Sequence, residues 1–189
     1  MTHVMYVPVA GPVTVGPATD VSEYVGGYAE WVPLMPHLGM MVAEHGKIGP
    51  YSTPPYATHE QPYYSPNVRA TWLYATFRAV DWIMGPVVIV GSPYFNLKDE
   101  MDDVQPTRKA ISGLFADYYG DGVCDWCQSS EFDVAFDLNI KIGEHRTWGF
   151  TCSQCAVDSS RGSRPRLGVG YGQIMVPPGT LDSLGKVQE

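Results

Sequence analysis

Apolar residues occupy every second position from Phe132 to Ile142. Phe132, Val134, Phe136, Leu138, Ile140 and Ile142 alternate with Asp133, Ala135, Asp137, Asn139 and Lys141. A period of two predicts one long strand with a single apolar face. Gly143-Glu-His-Arg reads as a turn and Thr147-Trp-Gly-Phe-Thr as the returning strand, so this stretch predicts a β-hairpin. His145 belongs to the turn and is expected to be exposed there.

Earlier in the chain the pattern is more broken. MYVPVAGPVTV predicts a strand or hairpin interrupted at Gly11 and Pro12, and DVSEYVGG a short helix capped by Asp20 or Ser22 and ended by Gly26–Gly27. YAEWVPLM and GMMVAEHGKIG follow, the second ending in a turn at His45–Gly46. Residues 50–66 hold several prolines and tyrosines and read as a long surface loop. ATWLYATF has no clear period, and the run VVIV in DWIMGPVVIVG predicts a buried strand. Further on, Ala110, Ile111, Leu114, Phe115 and Tyr118 recur at helical spacing between Pro106 and Gly120, which predicts an amphipathic helix. After about 176 the residues are Pro, Gly and polar, and a surface or frayed tail is expected.

The result is an α+β fold class in four parts: a small mixed N-terminal domain over 1–98, an acidic linker with its amphipathic helix over 99–122, a C-terminal hairpin unit over 123–175, and a tail over 176–189. With 189 residues, 16 prolines and 20 glycines, short strands and structured loops are favoured over long helices. The net charge of −8 argues against broad nucleic-acid binding, which depends on Lys and Arg neutralising phosphates. Six acids against two bases concentrate in residues 99–123. The N-terminus lacks a basic start followed by an apolar run, and no stretch approaches the roughly 18 apolar residues of a membrane span. A cytoplasmic protein is the expectation, with reduced thiols.

The cysteines change the picture most. Cys124-x2-Cys127 precedes the long strand and Cys152-x2-Cys155 follows its partner, so the hairpin brings four thiols together at its base. Two intervening residues let each knuckle aim both sulfurs at one ion, and four thiolates form the tetrahedral shell that zinc prefers. One structural Zn2+ in a zinc-ribbon-like unit is the expectation. Iron of the rubredoxin kind, redox cysteines and disulfides are the competing readings. Against iron, the second cysteines are followed by Gln128 and Ala156 where rubredoxin knuckles carry glycine.

A resemblance lies in the first part. Val25-Gly-Gly-Tyr-Ala-Glu-Trp-Val-Pro-Leu, Met41-Val-Ala-Glu-His-Gly-Lys, Asn67-Val-Arg-Ala-Thr and Asp81-Trp-Ile-Met-Gly-Pro-Val-Val-Ile-Val-Gly, in that order, resemble a small bacteriophage and mobile-element domain catalogued as domain of unknown function 3846. It covers about residues 4–98 and departs from the usual pattern in the insertion at 50–66. The resemblance implies a phage-type protein acting in a bacterial cytoplasm and brings no catalytic residues. Glu44, Lys47 and Asn67 invite a site, but polar residues at turns and strand ends explain them more simply.

Weaker signals remain. Arg161, Arg164 and Arg166 follow the second knuckle and offer phosphate or nucleic-acid contact, or only a solvated basic loop. Tyr51, Tyr56, Tyr63, Tyr64 and Trp72, with Tyr74, are candidates for an aromatic interface or for self-packing. Asp99, Glu100, Asp102 and Asp103 suit a hard cation less well than a solvated linker. Gly168-Val-Gly-Tyr-Gly lacks the Lys-Ser/Thr of a nucleotide loop. No nucleophile is recognisably paired with a base. The function expected is a non-enzymatic binding module for a host or phage macromolecule, with protein favoured over nucleic acid. A small-ligand or nucleotide binder or enzyme (its pocket expected to use tyrosine, Arg69 and Arg78) and a virion or assembly component are the alternatives.

Overall fold

The computed structural model describes residues 3–44, 66–77, 82–91, 105–131, 135–142, 144–159 and 166–184. The fold is α+β, with two sheets among the described residues. The first contains β1 (His3–Val7), β2 (Thr14–Pro17), β3 (Ala29–Met35), β4 (Leu38–Ala43) and β5 (Val87–Gly91), ordered β2-β1-β5-β4-β3. All its pairings are antiparallel. The second contains β6 (Phe115–Asp117), β7 (Ala135–Ile142), β8 (His145–Cys152) and β9 (Gly172–Val176), ordered β6-β9-β7-β8. Here β6 runs parallel to β9, and the remaining pairs are antiparallel.

The apolar run VVIV follows from the place of β5. It is a middle strand, and both its faces are covered. Val87 and Ile89 join the main core, whereas Val88 and Val90 pack on the other face against Val4, Val25 and the residues around them. Val25 comes from α1 (Val21–Val25), which starts after Asp20 and stops at Gly26, where φ is 92°. A strand buried on both faces has no reason to alternate.

Helix α2 (Val68–Phe77) is where the sequence pattern fell silent. Arg69, Ala70, Thr71, Trp72, Leu73 and Ala75 are buried, so the helix is enclosed on most sides and no polar stripe marks its period. It packs on β3 of the first sheet, and the Trp72 ring lies 4.9 Å from that of Phe136 in β7 of the second. Trp72 is therefore a core residue and not part of an aromatic surface. Buried side chains of both sheets join in one hydrophobic core, from Met5 and Leu38 to Phe136 and Ile174. The C-terminal unit thus shares its core with the N-terminal one.

Two expectations are corrected. In place of an amphipathic helix between Pro106 and Gly120, only Arg108–Ile111 is helical (α3), capped by the Thr107 hydroxyl at 3.1 Å from Ala110 N. Gly113 then takes φ 90°, and Phe115–Asp117 becomes β6 against β9. Ile111, Leu114 and Phe115 do reach the core, but around a turn. The tail is also not loose as far as it is described. Leu181 and Leu184 are buried around a single 3-10 turn at Leu181–Ser183, and the Leu181 N–H donates to Asp117. Among the described residues no helix is long and apolar enough to cross a membrane.

Candidate metal centre

The hairpin forms in the expected register, with Ala135 opposite Cys152, Leu138 opposite Gly149 and Ile142 opposite His145. Phe136, Leu138 and Ile140 are buried, as their alternation requires. This places Cys152 at the last position of β8, immediately before α4 (Ser153–Ser159), whose first turn carries Cys155. Cys124 and Cys127 come from the loop after β6. His145 is exposed at the other end of the hairpin.

The first knuckle is a tight turn fastened to β8. The Gln128 N–H donates to the Cys124 carbonyl at 2.9 Å, and the Cys124 N–H donates to the Ser129 carbonyl at 2.9 Å. Gln128 itself takes φ 59°, the left-handed conformation that glycine would supply most easily. Its side-chain amide donates to the Asp125 carbonyl at 3.0 Å, which offsets part of that cost. Asp125 then binds Phe150 twice: its N–H donates to the Phe150 carbonyl at 2.8 Å, and its carboxylate accepts the Phe150 N–H at 2.7 Å. Burial, and after it the Asp125 carboxylate, pushes the Asp137 carboxyl up.

The four sulfurs lie within 4.8 Å of one another, with Cys127 and Cys152 3.9 Å apart. Tetrahedral thiolates about 2.3 Å from one ion stand about 3.8 Å apart, so the cluster has the size of a metal shell. Backbone N–H groups point at sulfur as well, from Cys152 to Cys124 and from Cys155 to Cys152, each at 3.4 Å. Cys124 and Cys152 are buried, Cys155 half-buried and Cys127 exposed.

The thiols' electrostatics point the same way. Burial opposes ionisation of Cys124, but the backbone N–H groups of Cys127, Cys152 and Trp126 outweigh it and bring the thiol down to about 6. Burial and the neighbouring sulfurs hold the Cys152 and Cys155 thiols up. Thiols packed this closely need a cation among them before all can ionise. The donor set fits a metal ion, and four thiolates leave it no open position for a substrate.

The other candidates are scattered. Arg161, Arg164, Tyr51, Tyr56, Tyr63, Tyr64, Lys47, Arg78 and the acids at 99–103 lie outside the described residues. Arg166 is exposed, 5.6 Å from the centre of the Tyr171 ring. Glu44 is exposed at the end of β4, where its N–H donates to the Tyr28 carbonyl at 2.8 Å. Asn67 is fully buried and structural. Its carboxamide donates to the Val7 and Gly85 carbonyls at 3.1 Å each and accepts the Ala70 N–H at 3.0 Å, capping α2.

Arg69, also buried, donates to the Pro8 and Gly11 carbonyls. It lines a cavity of about 340 Å³ whose lining also holds Val13, Tyr118, Phe150 and Met175. Tyr118 stacks on Phe150 at 4.2 Å. The sequence pattern marks the four cysteines but not the residues that hold them, Asp125, Trp126, Gln128 and Gly149. The Asp-Trp between Cys124 and Cys127 was the available signal. Comparison of the chain with protein families, curated proteins and solved structures finds no match.

Proposed function

We propose that this chain is a zinc-stapled, non-enzymatic interaction module that binds a host or phage protein. The observation that carries this reading is the closed four-thiol cluster, with every donor taken from the protein and no position left for substrate. Zinc is the ion favoured, because four thiolates satisfy its tetrahedral preference and neither second cysteine is followed by glycine. Binding one such ion contributes on the order of 10 kcal/mol to folding in small units. The resemblance of residues 4–98 to the phage domain supports a phage or mobile-element origin and action in a bacterial cytoplasm. The acid excess favours protein over nucleic acid.

The test is capture with the full-length, zinc-loaded chain from lysate of infected bacteria, read by mass spectrometry. A defined partner enriched over a charge-matched control supports the module, and no enrichment overturns it. Labelled oligonucleotides checked by anisotropy should show no affinity tighter than about 10 μM at physiological salt. A second reading, a small-ligand binder, is favoured by the cavity beside Arg69 and Tyr118. A thermal-shift screen of anionic metabolites against the parent and Arg69→Lys would support it if one compound stabilised only the parent.

A further inference from the structure

Among the described residues, strand β8 is an edge of its sheet, with β7 on one side only. In an antiparallel pair the N–H and C=O of one residue point the same way, and successive residues alternate between partner and outside. The outward set is fixed at Phe150, whose N–H and C=O are both taken by Asp125, away from β7. Two and four residues earlier, Trp148 and Arg146 must point outward as well. The other strand agrees: Asn139, opposite Trp148, sends its N–H away from β8 to the Tyr171 carbonyl.

Asp125 thus acts as the first residue of an additional strand and goes no further. Beyond it, Trp148 and Arg146 present their N–H groups outward with no partner among the described residues. Among the described residues, the Trp148 carbonyl is approached only by the neighbouring Thr147 hydroxyl, at 3.3 Å. His145, Arg146, Thr147 and Trp148 are all exposed, Trp148 at 49%. An open strand edge of this kind is a template for another strand.

We propose that the edge at 145–148 is a strand-addition site for an extended segment of a partner protein, one carrying a carboxylate and an apolar side chain two residues apart. This rests on the interaction-module reading and locates its contact. Donors and acceptors that recur every second residue, about 6.8 Å apart, match another polypeptide backbone. Phosphates, which only accept, do not match them. Arg146 and Trp148 project from the same face of β8 because they are two residues apart. Arg146 selects a carboxylate opposite it, and Trp148 an apolar neighbour. Asp125 blocks the edge at Phe150 and so fixes where the added strand must end. The charge of Arg146 and the shortness of the open stretch keep it from pairing with any exposed strand.

The probe is a capped octapeptide, Thr-Glu-Thr-Val-Thr-Glu-Thr-Val, which carries Glu and Val two residues apart on one face, titrated against the full chain loaded with zinc. Expected are saturable binding, slower amide exchange at Arg146 and Trp148, and at least a tenfold loss when alternate peptide amides are N-methylated. Trp148→Pro removes an N–H that β7 does not use, and should abolish binding while leaving the fold intact. Should that variant misfold, Arg146→Glu keeps the test: it should reverse the preference from the Glu peptide to its Lys counterpart. No binding at millimolar peptide, or binding indifferent to N-methylation, overturns the site. A dimer in sedimentation that Arg146→Glu dissociates would overturn it too, giving the edge to a second copy. If lysate partners are captured equally by the parent and Arg146→Glu, the module stands and the edge assignment fails. If the parent captures nothing, the module reading itself fails.

Discussion

The Trp126 ring lies against the bare Cα of Gly149, so close that a Cβ there would come within 2.1 Å of it. One residue belongs to the first knuckle and the other to the strand that leads into the second. Together with the two hydrogen bonds between Asp125 and Phe150, this contact holds the two cysteine pairs in one place.

Gly149→Ala should therefore act on the metal centre from the strand. The methyl group must displace the indole or bend β8, at about 1–3 kcal/mol. Zinc transfer to a colorimetric chelator should be faster than in the parent, and Trp126→Ala in the same chain should restore it in part. Unchanged release would show that the knuckle does not depend on this contact.

Protein purified without a histidine tag should carry about one zinc per chain. Cys127→Ser removes the most exposed ligand and should abolish stoichiometric zinc. Because Phe136 and Ile174 share a core with Met5 and Leu38, the whole chain should respond in one thermal transition. Its midpoint should fall by about 10 °C or more. A native protein without metal, its four thiols freely titratable, would refute the metal centre.

Asn67→Ala leaves the Val7 and Gly85 carbonyls without their buried donor and uncaps α2. The expected loss in urea unfolding is about 2–4 kcal/mol. Asn67→Ser, which can still cap, should recover about 1 kcal/mol of it. A loss below that would make Asn67 available for the site that its sequence context suggested.

Tyr24 supplies a pH test. Burial, partly opposed by Arg69, raises its hydroxyl from 10.0 to about 12. The folded state favours the neutral phenol, so this contribution is complete below pH 10 and is lost as the pH climbs through 12. Between those values the parent should lose stability faster than Tyr24→Phe, as followed by circular dichroism. Identical alkaline curves would show that the phenol is already solvated.

Sequence alone determined what depends on local geometry or on one exposed boundary. The alternation of Phe136, Leu138 and Ile140 survives because β7 buries one face, and the two Cys-x2-Cys pairs at the ends of a hairpin had to meet. Tertiary structure decided the rest. Helix α2 is enclosed by both sheets, so no polar face betrays it, and Trp72 reads as surface until Phe136 is placed beside it. The spacing of Ala110, Ile111, Leu114, Phe115 and Tyr118 imitates a helix, yet Gly113 turns the chain so that β6 can pair with β9. Leu181 and Leu184 look like part of a polar tail and are drawn into the core. In each case the deciding partner lies far away in sequence, and burial against it outweighs a local preference of a few tenths of a kcal/mol per residue.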